Sequence, residues 1–238
     1  MSKQEAPPGF RVIGVLGGIG SGKSTAARFI AEALDCPHLD ADSAVSDLFQ
    51  RAETLSALEF ALNDSLRDEN GALDRSKLSA RIFKDPSARR DVEAILHPGV
   101  RRHLHHGLRL AETGTETNLN GEKQQATWAV LDVPLLLEGG LDAACDFLVF
   151  VSTPAELRSS RACERHGWSK DEWASREAAQ FTISDKETRA DVILHNSGTL
   201  DSLREQATAL FPLLCDLPPR PLSERWPLPD EAPVNRKA

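Results

Sequence analysis

Nine consecutive residues, Gly17-Gly-Ile-Gly-Ser-Gly-Lys-Ser-Thr25, carry the clearest chemical signal in the chain. Gly17 and Gly22 frame four residues and are followed by Lys23 and Ser24, which is the P-loop spacing. The chemistry explains the residue types. Phosphate oxygens are held by backbone N–H groups that point into a tight turn, and glycine permits the dihedrals that such a turn requires. The backbone of Gly18, Ile19, Gly20, Ser21, Gly22, Lys23, Ser24 and Thr25 is the expected nucleotide cradle. Lys23 reaches the β- and γ-phosphates, and the Ser24 hydroxyl is placed to ligate Mg²⁺.

Other residues join this motif as candidates. Asp40-Ala-Asp42 ends a short apolar run. Two carboxylates there can position Mg²⁺ or accept a proton from an attacking hydroxyl. Asp42 has a plainer alternative, capping a helix that begins near Ser43. Trp128-Ala-Val-Leu-Asp132 is an apolar strand ending in Asp, the pattern that serves Mg²⁺ through Asp132. Arg158, Arg161 and Arg165 are spaced by three and four residues, so Arg161 shares a helix face with both others. That face either clamps phosphates or is a solvated surface carrying pairs to Glu156 or Glu164. His103, His105 and His106, with His97 before them, have no nearby Cys or carboxylate to complete a metal site, and read as a solvated helix face.

These groups need elements to hold them. Short apolar runs at Arg11–Leu16, Pro37–Leu39, Trp128–Val133, Phe147–Val151 and Val192–Leu194 read as buried strands. Helical patterns separate them, so the expected fold is α/β, with a five-stranded parallel sheet flanked by helices. The first run leads into the glycines, and Thr25–Leu34 reads as a helix whose positive end faces the phosphates. Helical candidates near Ser43–Arg51, Leu55–Leu66, Arg75–Phe83 and Ser87–Ala111 make residues 45–125 a helical insertion, with Glu112–Gln125 a polar loop back to the sheet. The sheet-bearing core is then 10–44 and 126–211. Arg158–Arg189 is polar, contains Trp168 and Trp173, and reads as a lid that closes over nucleotide and excludes water. Residues 212–238 form a proline-rich tail. Its last twenty or so residues read as extended or disordered, with Trp226 the one residue suited to docking.

The 238 residues carry a net charge of −8, with no basic tail, which argues against a nucleic-acid partner. No apolar run approaches the ~20 residues of a membrane span, and the first residues lack the apolar core of a signal peptide. Cys36, Cys145, Cys163 and Cys215 are scattered, as expected of reduced thiols in a cytoplasmic protein. A monomer is favoured, although the sequence does not fix the oligomeric state.

Taken in order, the motifs resemble the dephospho-CoA kinase family over residues 11–211. The matching pieces are Gly17–Thr25, Asp40-Ala-Asp42, Gly71-Ala-Leu-Asp-Arg75 with Ile82-Phe83, Leu96-His-Pro98, Pro134-Leu-Leu-Leu-Glu138, Arg161 with Arg165, and Ala190-Asp191 followed by Asn196-Ser-Gly198. The first piece is shared by many NTPases; the series is specific to the family. The resemblance implies a P-loop kinase core, a helical substrate domain and a lid. It implies transfer of the ATP γ-phosphoryl to the ribose 3′-hydroxyl of dephospho-CoA, with ATP as co-substrate and Mg²⁺ as cofactor. It places the family's catalytic aspartate on Asp42, with Lys23 and Arg161 beside the transferring group and Arg165 and Asn196 at the ATP site. Asp40, Arg75, Arg81 and His97 fall where the family holds the CoA precursor. Three departures stand out: Leu16 replaces a usual Thr, His195 replaces a common Asp, and the proline-rich tail has no counterpart in the family's short bacterial pattern. Rival readings are another small-molecule kinase, or a nucleotide-dependent switch, which would need a guanine-reading Asn-Lys-x-Asp motif that the sequence lacks.

Overall fold

A computed structural model describes residues 9–114 and 126–226. Five strands, β1 (Arg11–Gly17), β2 (His38–Asp40), β3 (Trp128–Asp132), β4 (Phe147–Ser152) and β5 (Val192–His195), form one sheet in the order β2-β3-β1-β4-β5. Every pairing is parallel. Parallel strands covered on both faces read as near-continuous apolar runs, here with polar residues only at the ends, Arg11 of β1 and Asp132 of β3. All seven residues of β1 and all five of β3 are accordingly buried. Strand order reverses beside β1, so the C-terminal ends of β1 and β3 border the crevice where α/β sheets take ligands.

Helix α1 (Lys23–Leu34) buries Ala26, Ala27, Phe29, Ile30 and Ala31, a stripe at helical spacing, against the sheet. The segment expected as a lid is three helices, α6 (Ala155–His166), α7 (Lys170–Ala178) and α8 (Ile183–Thr188). Gly167 ends α6 in the left-handed region, at φ 71°. Ser169 and Thr182 cap the next two helices through their hydroxyls. Helix α9 (Leu200–Thr208) packs beside α1 and is followed by α10 (Phe211–Leu214), with Leu203, Ala207, Leu210 and Leu214 in the same core cluster.

Between β2 and β3 lie α2 (Ala41–Phe49), α3 (Ala52–Leu62), α4 (Arg75–Lys84) and α5 (Pro86–Thr113). The chain divides into two compact units: one runs to Asp40 and resumes at Gly107, and the other is Ala41–His106. The sequence reading put the insertion at 45–125. The last turns of α5 instead belong with the sheet, where Gly107 packs against the Leu39 side chain of β2 so closely that a Cβ would displace it. Within the second unit, Asp74 of the Gly71–Arg75 motif caps α4, accepting hydrogen bonds from Ser76 N and Lys77 N. Pro98 sits inside α5.

The tail corrects the sequence reading as far as residue 226. Leu222–Glu224 form a 3₁₀ turn, and Leu222 and Trp226 are buried against the body. Beyond Leu214 the described part of the tail forms no α-helix or strand, but side chains between the prolines supply the anchorage. Arg220 and Arg225 both pair with Asp146, and Leu222 N donates to Glu112 Oε1 at 2.8 Å. Residues 227–238 and the 115–125 part of the polar loop lie outside the described residues. Among the described residues no helix is long and apolar enough to cross a membrane.

Candidate nucleotide site

The loop between β1 and α1 is shaped by its glycines. Gly20 and Gly22 take φ of 81° and 91°, a region costly for a side chain, and Gly22 is the N-terminal cap of α1. Gly22 has a second reason to lack a side chain, because a Cβ there would collide with the Asn196 amide. The loop is pinned from behind at the carbonyl of Ser21, which accepts from Asn196 Nδ2 at 2.8 Å and Thr153 Oγ1 at 2.9 Å. Thr153 follows β4 and Asn196 follows β5, so both sheet ends beyond β1 position the cradle. Sequence reasoning put Asn196 at the ATP site through the resemblance. The structure shows its buried side chain supporting the loop, and no local pattern marked Thr153 for this work.

Lys23 Nζ donates to the carbonyls of Gly17 at 3.2 Å and Gly18 at 2.9 Å. Loss of hydration, followed by repulsion from Lys186, pushes its ammonium down to about 8; Asp132, Glu177 and Glu138 oppose this. Lys186 of α8 is buried and bonds Gln180 Oε1 at 2.8 Å, with Glu138 Oε1 3.3 Å away. Glu138, from the Pro134–Glu138 motif, also accepts from Phe181 N at 2.8 Å, tying the chain after β3 to the entry of α8. Lys186 carried no spacing signal of its own and was missed.

Asp40 and Asp132 end neighbouring strands in register. Asp132 is buried, and its Oδ2 accepts no hydrogen bond, standing 3.6 Å from His38 Nε2. A buried carboxylate oxygen without a donor is a suitable ligand for a hard cation. Ser24 is exposed in the first turn of α1. Among the described residues no cluster of three or more His, Cys, Asp or Glu side chains could hold a metal by itself. A metal here would therefore take much of its coordination from substrate and water.

The arginines of α6 separate. Arg158 is buried: its Nε donates to Thr153 O at 3.1 Å, its Nη1 pairs with Glu177 of α7, and its guanidinium lies 5.4 Å from the Trp173 ring. This is not the solvated face of the plainer alternative. Arg161 donates to Asn196 O at 3.3 and 3.4 Å, beside the loop support. Arg165 is exposed in the last turn.

The other candidates belong to the second unit and are described within it. Asp42 is exposed in the first turn of α2, which begins at Ala41, so it is inside the helix and not its cap. Arg75 is exposed, 3.3 Å from Ser46 Oγ and 5.8 Å from the Phe49 ring. It lines a cavity of about 400 Å³ with Phe49, Arg51 and Arg67. Arg81 pairs with Asp85 at 2.9 Å, and His97 is half-buried on α5 just before Pro98. His103 Nε2 stands 3.8 Å from Asp47 Oδ2. The four cysteines are free, and burial pushes the Cys36 and Cys145 thiols up to about 12, so neither offers a thiolate nucleophile.

A parallel sheet in this order, with a P-loop after its central strand and a helical segment folded onto that loop, defines a P-loop kinase. Known proteins narrow the class. The sequence model of the family described as dephospho-CoA kinase matches residues 11–202. A dephospho-CoA kinase of Deinococcus radiodurans is 38% identical over 199 residues, covering 84% of this chain and 90% of that protein. One from Rhodopseudomonas palustris is 36% identical over 210 residues, covering 88% and 98%. In structure, the Thermus thermophilus protein TT1252 superposes with a TM-score of 0.67 at 31% identity, covering 87% of this chain and 99% of its own. The dephospho-CoA kinase of Campylobacter jejuni shares the fold, with a TM-score of 0.60 at 21% identity, over 86% of this chain and 96% of its own. The chain belongs to the dephospho-CoA kinase family.

Proposed function

We infer that the protein transfers the γ-phosphoryl of ATP to the ribose 3′-hydroxyl of dephospho-CoA, giving coenzyme A and ADP. The observation that carries this reading is the P-loop cradle, with Lys23 at its mouth, in a chain matched by the family over residues 11–202. Phosphoryl transfer asks a protein mainly to position two oxygens in line and to neutralise spreading charge. The backbone N–H groups of residues 18–25 and Lys23 do this for ATP. Arg161 adds charge to the same site, and Arg165, exposed at the end of α6, is free to reach the nucleotide when the lid moves. Asn196 holds the loop in shape through Ser21 O.

Ser24 and Asp132 are the residues we assign to Mg²⁺, and the unbonded buried oxygen of Asp132 supports that assignment. The ion, when bound, neutralises charge on the β- and γ-phosphates. Asp42 orients the attacking hydroxyl and takes its proton, with Asp40 beside the same substrate. Arg75, Arg81 and His97 hold the rest of the CoA precursor. The cavity lined by Arg51, Arg67 and Arg75 around Phe49 offers the mix of positive charge and aromatic surface that an anionic, nucleotide-like substrate needs. The helical insertion is thus the substrate domain, the partners are small molecules, and the protein works in the cytoplasm.

The test is product formation. ADP release from ATP must depend on dephospho-CoA and be absent with AMP, shikimate or nucleosides as acceptors. ADP release with another acceptor alone would replace this reading with that of a different small-molecule kinase.

A further inference from the structure

The segment α7 places an acid on the phosphate loop. Glu177 Oε2 accepts from Ile19 N at 3.0 Å, so a carboxylate holds one of the loop's backbone donors. Its Oε1 pairs with Arg158 Nη1, and the pair is largely buried, with side chains 18% and 7% exposed. The pair lies directly on the loop: a Cβ on Gly18 would collide with both the guanidinium and Glu177. Trp173, one turn earlier on α7, donates from Nε1 to Ile19 O at 3.4 Å and covers the guanidinium. Arg158 reaches the site from α6, anchored through Nε to Thr153 O.

Two features make this arrangement chemically odd for a mere brace. Loop N–H groups and an arginine are the donors that bind phosphate oxygens, and here one carboxylate takes both. A carboxylate and a phosphate cannot share the single Ile19 N–H, and their like charges oppose each other in a site that already holds Asp132 and Glu138 near Lys23. We propose that Arg158 is a further polyphosphate-binding residue and that the Glu177 carboxylate is its exchangeable stand-in, displaced from Ile19 N–H and from the guanidinium as ATP enters. Release of Glu177 frees α7 from the loop, so nucleotide binding is coupled to movement of the Trp173-bearing helix. This rests on the nucleotide-site reading above and adds to it a residue pair from α6 and α7.

The test is the affinity of the full chain for ATP with Mg²⁺, by titration calorimetry. Glu177→Gln keeps the shape and the acceptor but removes the competing charge. It should bind ATP about tenfold tighter, and Arg158→Gln about tenfold more weakly. In the double variant the gain from Glu177→Gln should vanish, because the arginine that it freed is gone. Unchanged or weaker ATP binding by folded Glu177→Gln overturns the proposal and makes the pair a structural brace. If neither that variant nor the wild type binds ATP, the nucleotide-site reading itself fails and takes the proposal with it. A second readout needs neither the Glu177 nor the Arg158 variant. Saturating ATP should change the Trp173 fluorescence, taken as the difference from Trp173→Phe. An unchanged difference spectrum in protein that does bind ATP means that α7 stays in place, and the exchange is ruled out.

Discussion

Arg225 donates to the carboxylate of Asp146 from 79 residues further along the chain, and both side chains are buried. Asp146 opens the approach to β4. Its Oδ2 also accepts from Val12 N of β1 at 2.8 Å, and its Oδ1 pairs with Arg220. One carboxylate therefore joins the C-terminal segment to the two central strands. Breaking a buried ion pair by removing one partner costs about 3–5 kcal/mol, because the other charge stays buried. Arg225→Ala should lower the melting temperature by roughly 6–20 °C for a chain of this size, and deletion after Arg220 by at least as much. Thermal unfolding checks this; a melting temperature unchanged within a degree would mean that the segment is not part of the fold.

Lys23 yields a pH dependence. Its ammonium is pushed down from 10.5 to about 8, mainly by loss of hydration. Phosphate contact needs the charged form, so kcat/KM for ATP, which reports the free enzyme, should fall as pH rises through about 8. The stability effect has the opposite sign. The folded state resists the charge, so the cost is fully present below pH 8 and is relieved as pH rises toward 10.5. Lys23→Ala should remain folded and lose on the order of a hundredfold in phosphoryl transfer. A flat kcat/KM profile from pH 7 to 9.5 would remove Lys23 from the phosphate contact.

Asn196 gives a prediction about the loop rather than the chemistry. Its amide donates to Ser21 O, and its own carbonyl accepts from Arg161. Asn196→Ala removes the first bond and leaves the Ser21 carbonyl with Thr153 Oγ1, at a cost of about 0.5–1.5 kcal/mol. The loop should loosen, raising KM for ATP more than KM for dephospho-CoA. Steady-state kinetics with each substrate varied in turn decides this, and equal changes in both would place Asn196 outside ATP support.

Much of this was legible in the sequence because it rests on local chemistry. Strand β1, the glycine loop and the start of α1 follow from apolar runs and from turns that only glycine makes easily. All five strands lie where short apolar runs put them, within one or two residues at their ends. What the sequence did not disclose are contacts between distant segments. Glu177 on Ile19 N, Lys186 beside Lys23, and Arg225 on Asp146 join residues with no shared spacing, and each looks like an ordinary surface charge until the fold buries it. The tail misled for the same reason: its prolines describe what the backbone cannot do, whereas Arg225 is held by Asp146 and Trp226 is buried.

Asp42 tests the assignment of the catalytic base. It is exposed in the first turn of α2, where a negative charge is favoured by the helix dipole by only about 0.3–1 kcal/mol. Asp42→Asn keeps the side-chain shape and a hydrogen-bond acceptor, so the melting temperature should move by no more than about 2–4 °C. The variant keeps the shape and loses the charge and the basic oxygen. General-base contributions are worth about a hundredfold to ten-thousandfold, so kcat should fall by at least a hundredfold while ATP affinity stays within a factor of about two. Affinity and turnover must be measured on the same folded preparation. A kcat within a few-fold of wild type would exclude Asp42 as the base and turn attention to Asp40, which ends β2 in register with Asp132.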